Sequence, residues 1–249
     1  MNNIPVVRRK ILLWHTGNKR DFPWRHTKDP YKIIIAEFML HRTKAEQVVP
    51  VYLDFIEKYP DVFALTNANF EDVKKVTKHL GLHWRAKHFL ESANFVVEKY
   101  NGKFPADYQK LREVPGAGEY IAGAILTVCF NKSAPAVDSN IARFINRYYG
   151  LNLSGEIRRK KEIINIAGEL FKYKHPGEFL FALVDFVALI CKPRKPFCEK
   201  CPLINECKYD RAIDDNGQSP NSGHTATLCS AQMLGHVSHI VCPRPLYDV

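Results

Sequence analysis

The sequence lacks the features that would place a protein in a membrane or outside the cell. No uninterrupted apolar stretch approaches the roughly 20 residues that a membrane-spanning helix needs. The first residues contain only a short apolar run and no small-residue cleavage site, so we expect no secretion signal. Alternating strands joined by hairpin turns are also missing, which argues against a β-sheet. These absences favour a cytoplasmic, all-α protein that has no membrane partner and is not secreted.

Acidic residues are scarce relative to basic ones. The 249 residues include 26 Asp and Glu against 36 Lys and Arg, which gives a formal net charge of +10. The stretch 209–249 is net acidic, so the positive excess lies in residues 1–208. Such an excess drives salt-dependent binding to a polyanion, although a basic surface can also serve solubility alone. The charge therefore favours a nucleic-acid partner and a nucleoid-associated location.

The seven cysteines form an odd set, which argues against a disulfide framework in a chain without an export signal. Four of them are clustered with the spacing Cys-x6-Cys-x2-Cys-x5-Cys, namely Cys191, Cys198, Cys201 and Cys207. This density of thiols indicates a metal or cluster site. Zinc is one candidate, because four cysteines make a closed tetrahedral site. The uneven spacing, with a single close pair, favours a [4Fe–4S] cluster wrapped by one loop, and free thiols are the remaining alternative.

Capping residues and apolar periodicity predict that nearly the whole chain is α-helical. Thr43 has capping-box spacing to a glutamate, which predicts a helix starting there, although Pro50 indicates a kink or a later start. Residues 156–171 have the pattern of one helix, and Asp138 stands at the N-cap of another. Turn-forming residues without helical periodicity dominate 209–249. We expect that segment to be a tail that is flexible or foreign to the native protein.

Two segments have the composition of phosphate-binding sites. The glycines of VPGAGEYIAG, Gly116 and Gly118, allow a phosphate to approach the backbone N–H groups just before a helix N-terminus. Alone this pattern is weak, since any tight turn between helices can need two glycines. The second segment is the basic part of the cysteine cluster, which contains Lys192, Arg194, Lys195 and Lys200.

Taken together, these motifs resemble those of the endonuclease III-like helix–hairpin–helix DNA glycosylases. The matching segments are RDFPWR, DPYKIIIAEFMLHRT, VPGAGEYIAGAI, AVDSNIARFINR and the cysteine loop, in family order. The resemblance implies an all-α, two-lobed helix–hairpin–helix glycosylase fold with a [4Fe–4S] cluster loop and DNA bound in the cleft. One domain would be a six-helix bundle over 25–135. The other would join 1–24 to 136–208 and carry the cluster.

The resemblance also implies roles for three residues. Asp138 is an ordinary N-cap by sequence, but it matches the family's essential aspartate, which stabilises positive charge on the deoxyribose as the base departs. Glu37 could simply face solvent, but it matches the acid that protonates the base in adenine glycosylases, and related thymine glycosylases also have Glu there. Tyr120 stands where lyase-active members carry an attacking lysine. A tyrosine cannot form their Schiff base.

Further positions match residues that read the mismatch. Asn140 matches an asparagine beside the catalytic aspartate. His41 and Arg42 stand where relatives insert side chains into the gap left by a flipped base, and an arginine there can present donors to guanine. The turn GLHWR matches the other wedge-bearing loop, although its tryptophan could equally belong to the core. The residues concerned are Leu82, His83 and Trp84.

These matches predict a monofunctional DNA glycosylase of base excision repair that hydrolyses the N-glycosidic bond of thymine or uracil mispaired with guanine. Adenine glycosylases typically carry serine in place of Tyr120, Gln-Gln-Thr in place of residues 41–43, and a further C-terminal domain. An adenine glycosylase acting on A·G or A·8-oxoguanine, a bifunctional glycosylase/lyase, and a non-catalytic iron–sulfur DNA-binding protein are the alternatives. We expect a monomer that binds double-stranded DNA and leaves an abasic site for a downstream abasic-site endonuclease.

Overall fold

The computed structural model describes residues 3–81 and 85–209, and that part of the chain contains helices and no β-strand. The predicted all-α class is therefore confirmed. The α-helices are α1 (Ile4–Thr16), α2 (Pro30–Leu40), α3 (Ala45–Lys58), α4 (Val62–Thr66), α5 (Phe70–Thr77), α6 (Arg85–Tyr100), α7 (Tyr108–Glu113), α8 (Glu119–Cys129), α9 (Ser139–Tyr149), α10 (Lys161–Phe171) and α11 (Pro176–Leu189). Short 3-10 helices lie at Pro23–Arg25, Lys78–Leu80, Ile157–Arg159, Cys198–Lys200 and Ile204–Glu206.

The predicted start of α3 is wrong. The helix begins at Ala45, its N-cap is Lys44, and no side chain caps it. The Thr43 hydroxyl instead donates to the carbonyl oxygen of His41 at 3.5 Å. The helix continues through Pro50, so the proline does not delay its start. A proline this close to a helix N-terminus removes only one intrahelical hydrogen bond, which the packing of α3 against α2 offsets.

The single helix predicted over 156–171 is divided in two. A 3-10 turn at Ile157–Arg159 is followed by Lys160 in an extended conformation, and α10 begins only after it. The Glu156 side chain accepts hydrogen bonds from the backbone and the guanidinium group of Arg158. This local pairing stabilises the tight turn and competes with a continuous α-helix.

The centre of the fold is formed by the two apolar helices α2 and α11 and by helix α8, which lies between them. Helix α11 packs against α1, α8 and α9, and helix α2 packs against α3, α6 and α8. Both helices bury most of their side chains, so α8 is covered by apolar surface on two sides. Helix α8 therefore connects the helices that pack against α2 to those that pack against α11. None of the described helices has both the length and the apolar character that crossing a membrane requires.

Two glycines set the backbone around α8. Gly116 precedes the helix with a φ of +81°, a left-handed value that favours glycine, and a Cβ there would lie 3.0 Å from the Phe38 ring of α2. A Cβ on Gly123, within α8, would lie 2.7 Å from the carbonyl oxygen of Pro135. The extended chain before α9 therefore lies directly on α8. Both close approaches bring parts of the candidate site together.

The predicted division into 25–135 and 1–24 with 136–208 stays a prediction. The segment 25–135 contains α2 to α8, of which α4 and α7 are only five and six residues long. The predicted tail lies outside the described residues apart from Tyr209.

Candidate active site

Three polar side chains from distant parts of the sequence meet beside α8. Glu37 lies near the end of α2, Tyr120 in the first turn of α8, and Asp138 directly before α9. The Tyr120 hydroxyl hydrogen-bonds to the Glu37 carboxyl group, and the charge of Asp138 acts on both of them. The structure thus brings together the three residues predicted to be catalytic.

Burial keeps the proton on Glu37. Its removal from water, reinforced by the negative charge of Asp138, raises the pKa of Glu37 to about 8, while the hydrogen bond from Tyr120 and the positive charge of Arg25 act in the opposite direction. Burial also raises the pKa of Tyr120 well above its usual value, with added contributions from Glu37 and Asp138. At neutral pH both groups therefore hold their protons, and Glu37 has the pKa expected of a general acid.

Asp138 is held in one orientation by three hydrogen bonds. Its Oδ1 atom accepts from the backbone N–H groups of Asn140 at 3.0 Å and Ile141 at 2.7 Å, and its Oδ2 accepts from Asn140 Nδ2 at 2.8 Å. The Asn140 Oδ1 atom accepts from Arg143 Nη1 at 2.8 Å, and Arg143 Nη2 donates to the carbonyl oxygen of Cys191 at 2.8 Å. The predicted N-cap is confirmed, and a chain of polar contacts connects it to the cysteine loop.

The glycine-rich turn lies between α7 and α8, as the sequence predicts. Gly116 and Gly118 are both exposed, and Gly118 is the N-cap of α8. The turn is closed by a hydrogen bond from Ala117 N to the carbonyl oxygen of Val114 at 2.9 Å. An anion can therefore approach the backbone at the N-terminal end of α8, in the same helical turn that carries Tyr120.

Residues 35–172, more than half of the chain, match the family described as HhH-GPD superfamily base excision DNA repair protein. The chain belongs to the HhH-GPD superfamily. All three residues of the Glu37, Tyr120 and Asp138 group fall within the matched range.

Several curated proteins resemble this HhH-GPD chain along most of its length. The thymine-DNA glycosylase of Aeropyrum pernix is 35% identical over 83% of this chain and 95% of the relative. The thymine/uracil-DNA glycosylase of Methanothermobacter thermautotrophicus is 37% identical over 80% and 90%. An adenine DNA glycosylase of Buchnera aphidicola subsp. Baizongia pistaciae is 35% identical over 82% of this chain but 58% of the relative.

A solved structure gives the same result. The structure of a thermostable thymine-DNA glycosylase matches with a TM-score of 0.78 and 35% identity, and the match covers 84% of this chain and 97% of the other. The described residues of this HhH-GPD protein therefore share their helical architecture with that enzyme.

The clustered cysteines of this HhH-GPD protein surround one cavity. Their neighbours in its wall are mostly apolar, among them Phe144, Phe186 and Ile190, and the four residues themselves are Cys191, Cys198, Cys201 and Cys207. Burial, with a smaller contribution from the other three cysteines, raises the pKa of the Cys201 thiol to about 12. Within residues 3–81 and 85–209, no three His, Cys, Asp or Glu side chains converge closely enough to hold a single metal ion.

The start of the cysteine loop is fixed to α9. Arg147 donates to the carbonyl oxygens of Lys192 and Pro193, each at 2.7 Å, and its guanidinium lies 3.8 Å from the Cys191 sulfur. Lys192 lies over the Phe197 ring at 4.2 Å. The other predicted phosphate-binding side chains of this loop are exposed: Arg194, Lys195 and Lys200.

The predicted mismatch-reading residues are described only in part. His41 and Arg42 are exposed at the end of α2, directly after the helix that carries Glu37. Arg42 has a φ of +58°, an unusual value for a residue other than glycine and one that is often found at functional sites. The other wedge residues, Leu82, His83 and Trp84, lie outside the described residues.

Two arginines near the site were not identified from the sequence. Arg25 stands in the RDFPWR segment and Arg143 in AVDSNIARFINR, both of which match the family, yet no function was assigned to either. Arg25 lowers the pKa values of Glu37 and Tyr120, and Arg143 holds Asn140. The residues on which Arg25 acts lie in other helices, and Arg143 contacts Asn140 on the preceding helical turn. The signal in the sequence was the position of both arginines within segments that match the family.

Proposed function

We propose that this HhH-GPD protein is a monofunctional DNA glycosylase that removes thymine or uracil mispaired with guanine and leaves the strand intact. The observation that carries the proposal is the pairing of Glu37 with Tyr120 beside Asp138. The group contains a proton donor and a fixed carboxylate, whereas the residue at the start of α8 supplies a phenol and no amine. This arrangement supports base release by hydrolysis and offers no nucleophile for a Schiff base.

Glu37 acts as the general acid in this mechanism. Because its pKa is about 8, it is protonated at neutral pH and can transfer that proton to the departing base. The C1′–N bond breaks, its electron pair leaves with the base, and the transferred proton neutralises the base. Tyr120 donates a hydrogen bond to the carboxylate that remains and so stabilises the ionised form of Glu37.

Asp138 acts on the sugar. As the base leaves, positive charge develops on the deoxyribose, and a carboxylate held by three hydrogen bonds can stabilise it without reorganising. Water then adds its oxygen to C1′ and loses a proton to a carboxylate of the site. The product is an abasic site in an uncut strand, which a separate abasic-site endonuclease must process.

The preference for thymine or uracil opposite guanine is supported by the two relatives named as thymine and thymine/uracil glycosylases. A wobble-paired base is also less costly to flip than a Watson–Crick base. The adenine DNA glycosylase match favours one second candidate, excision of adenine opposite guanine or 8-oxoguanine. In both cases an exposed Arg42 next to the Glu37 helix is a suitable donor to a guanine edge.

Double-stranded DNA would bind across the hairpin and the cysteine loop, with the protein acting as a monomer. Gly116 and Gly118 offer exposed backbone to one phosphate, and the exposed cations Arg194, Lys195 and Lys200 offer charge to others. Both surfaces are connected to Asp138, the first through α8 and the second through Arg143 and Asn140.

A [4Fe–4S] cluster is the group that the four cysteines fit best. They surround a shared, largely apolar cavity, and among the described residues they do not converge closely enough to hold a single metal ion. The thiolates of a zinc site, in contrast, must approach one another to about 3.8 Å. Cys191, Cys198, Cys201 and Cys207 would be its ligands. Such a cluster can exchange one electron when bound. The residues around the cysteines have a structural role, because Arg143 and Arg147 hold the start of the cysteine loop against α9.

One set of duplexes that differ only in one base pair tests the proposed function. The pairs are T·G, U·G, A·G, A·8-oxoguanine and T·A, and alkali after single-turnover incubation converts abasic sites to strand breaks. We expect breaks in the thymine and uracil strands opposite guanine, formed at least about hundredfold more slowly with Asp138→Asn. Breaks confined to the adenine strands would contradict the proposal and support the second candidate. An absorbance band at about 400 nm together with bound iron would identify the cluster, and bound zinc without iron would exclude it.

A further inference from the structure

A run of four consecutive cations lies before and at the start of α10, outside the surfaces already proposed to bind DNA. All four side chains are exposed, and we call them the basic turn: Arg158, Arg159, Lys160 and Lys161. They extend from the 3-10 helix Ile157–Arg159 to the first residue of α10. Ile157 packs on the apolar core, and its 3-10 helix contacts both α9 and α10. Packing therefore fixes the position of the basic turn on the surface.

The basic turn lies beside the glycine-rich hairpin. Arg159 Nε is 3.7 Å from Glu119 Oε2, and Glu119 is the first residue of α8, directly after Gly118. The other oxygen of this carboxylate lies 3.5 Å from Arg112 Nη2 of α7. The hairpin, which we propose to bind one DNA phosphate, and the basic turn are therefore neighbours on the surface of the protein.

Most of the charge of the basic turn is available to an external anion. Arg158 is the exception, because it is paired with Glu156 through two hydrogen bonds of 2.8 and 2.6 Å. Arg159 is largely exposed, and an exposed ion pair of 3.7 Å contributes little to stability, so its guanidinium can turn to a phosphate at low cost. Among the described residues, Lys160 and Lys161 form no ion pair.

The two lysines occupy positions that are unfavourable for the stability of α10. Lys160 is the N-cap of this helix and Lys161 is its first residue, and no side chain caps it. The N-terminal end of a helix carries partial positive charge, so a cation there reduces stability, whereas Asp, Ser or Thr would increase it. Helix stability therefore does not account for these lysines. A polyanion bound beside them does, because it would offset the repulsion.

We propose that the basic turn binds phosphates of the DNA strand that lies on the hairpin, and so forms a further part of the DNA interface. The proposal rests on the proposed function, in which double-stranded DNA is the substrate. Arg159 and Lys161 would contact the backbone, which carries one negative charge about every 3.4 Å along each strand. Phosphate contacts carry no sequence information, so they should strengthen binding to matched and mismatched duplexes alike.

The test measures the affinity of the full-length protein for a T·G and a T·A duplex by fluorescence anisotropy, between about 50 and 200 mM salt. We expect Arg159→Ala and Lys161→Ala each to reduce the slope of log affinity against log salt by about 1, on both duplexes. Lys172→Ala is the matched control, because it removes an exposed cation, paired with Glu169, at the other end of α10. It should leave the slope unchanged.

The double variant Arg159→Ala/Lys161→Ala decides the proposal. A slope that falls by less than about 1, or by no more than it does in Lys172→Ala, would overturn it. Thermal unfolding followed by circular dichroism checks that each variant folds. Lys161→Ala should melt at the same or a higher temperature, because it removes a cation from a helix N-terminus. A lower melting temperature would show that the lysine serves the fold and would contradict the argument from charge.

Glu119→Gln separates a phosphate contact by Arg159 from an indirect effect. If Arg159 only neutralised Glu119, Arg159→Ala would not change the slope once residue 119 is uncharged. A direct contact predicts that the slope still falls by about 1 in the Glu119→Gln background, and an effect that disappears there would contradict it. The readout is binding to DNA, so its outcome is independent of which base the duplexes release.

Discussion

The rate of base release should follow the protonation of Glu37. With a pKa of about 8, the protonated fraction of Glu37 is about 0.9 at pH 7 and about 0.1 at pH 9. The single-turnover rate constant should therefore lie near its plateau at pH 7 and fall about tenfold by pH 9, because only the protonated acid can donate to the base. Replacement by glutamine should reduce the plateau by about 10²–10⁴-fold, the range typical of a lost general acid.

The assay is excision from a T·G duplex with enzyme in excess, measured between about pH 5.5 and 10. Tyr120→Phe is the informative companion variant, because the tyrosine hydroxyl lowers the pKa of Glu37. Its loss should move the high-pH limb to still higher pH while Glu37→Gln abolishes that limb. A rate that increases through pH 8, or an unchanged limb in Glu37→Gln, would refute the assignment of Glu37 as the acid.

Asp138→Asn should lower excision at least about hundredfold while DNA affinity changes little, as measured by single-turnover rates and fluorescence anisotropy. Gly123→Ala should destabilise the fold, because its Cβ would lie 2.7 Å from a backbone oxygen, whereas Gly168→Ala, with no atom within 4 Å, should be neutral or stabilising by up to about 1 kcal/mol in denaturant unfolding. Arg194→Ala and Lys195→Ala should each reduce the slope of log affinity against log salt by about 1, and unchanged slopes would remove these side chains from the DNA interface.

Local signals predicted the parts of the site whose partners are close in sequence. Asp138 caps α9 through N–H groups only two and three residues away, so its orientation depends on the local sequence. The same reasoning fails at Thr43, whose capping-box spacing is correct although its hydroxyl contacts the residue two positions earlier. A capping-box pattern allows an N-cap hydrogen bond, but the backbone conformation before the helix determines whether that hydrogen bond forms.

Contacts between distant segments could not be predicted from the sequence. Gly123 has no unusual pattern in α8, yet the chain at Pro135 lies against it and brings the aspartate to the tyrosine. Asp185 is one of two carboxylates in a mostly apolar helix, and its partner Arg25 lies 160 residues earlier. The family resemblance implied roles for Glu37, Tyr120 and Asp138, but no periodicity or spacing in the sequence predicts that the helices carrying them come together.

Strand integrity after base release is the most direct measurement of the central claim. A 5′-labelled T·G duplex is incubated with excess enzyme, and one half is heated in formamide while the other receives alkali. Hydrolysis without a lyase step predicts an intact strand in formamide and a break at the mismatched thymine after alkali, with no enzyme–DNA adduct trapped by borohydride. A break in both halves, or a trapped adduct, would contradict the assignment of Tyr120 and show that another residue supplies an amine.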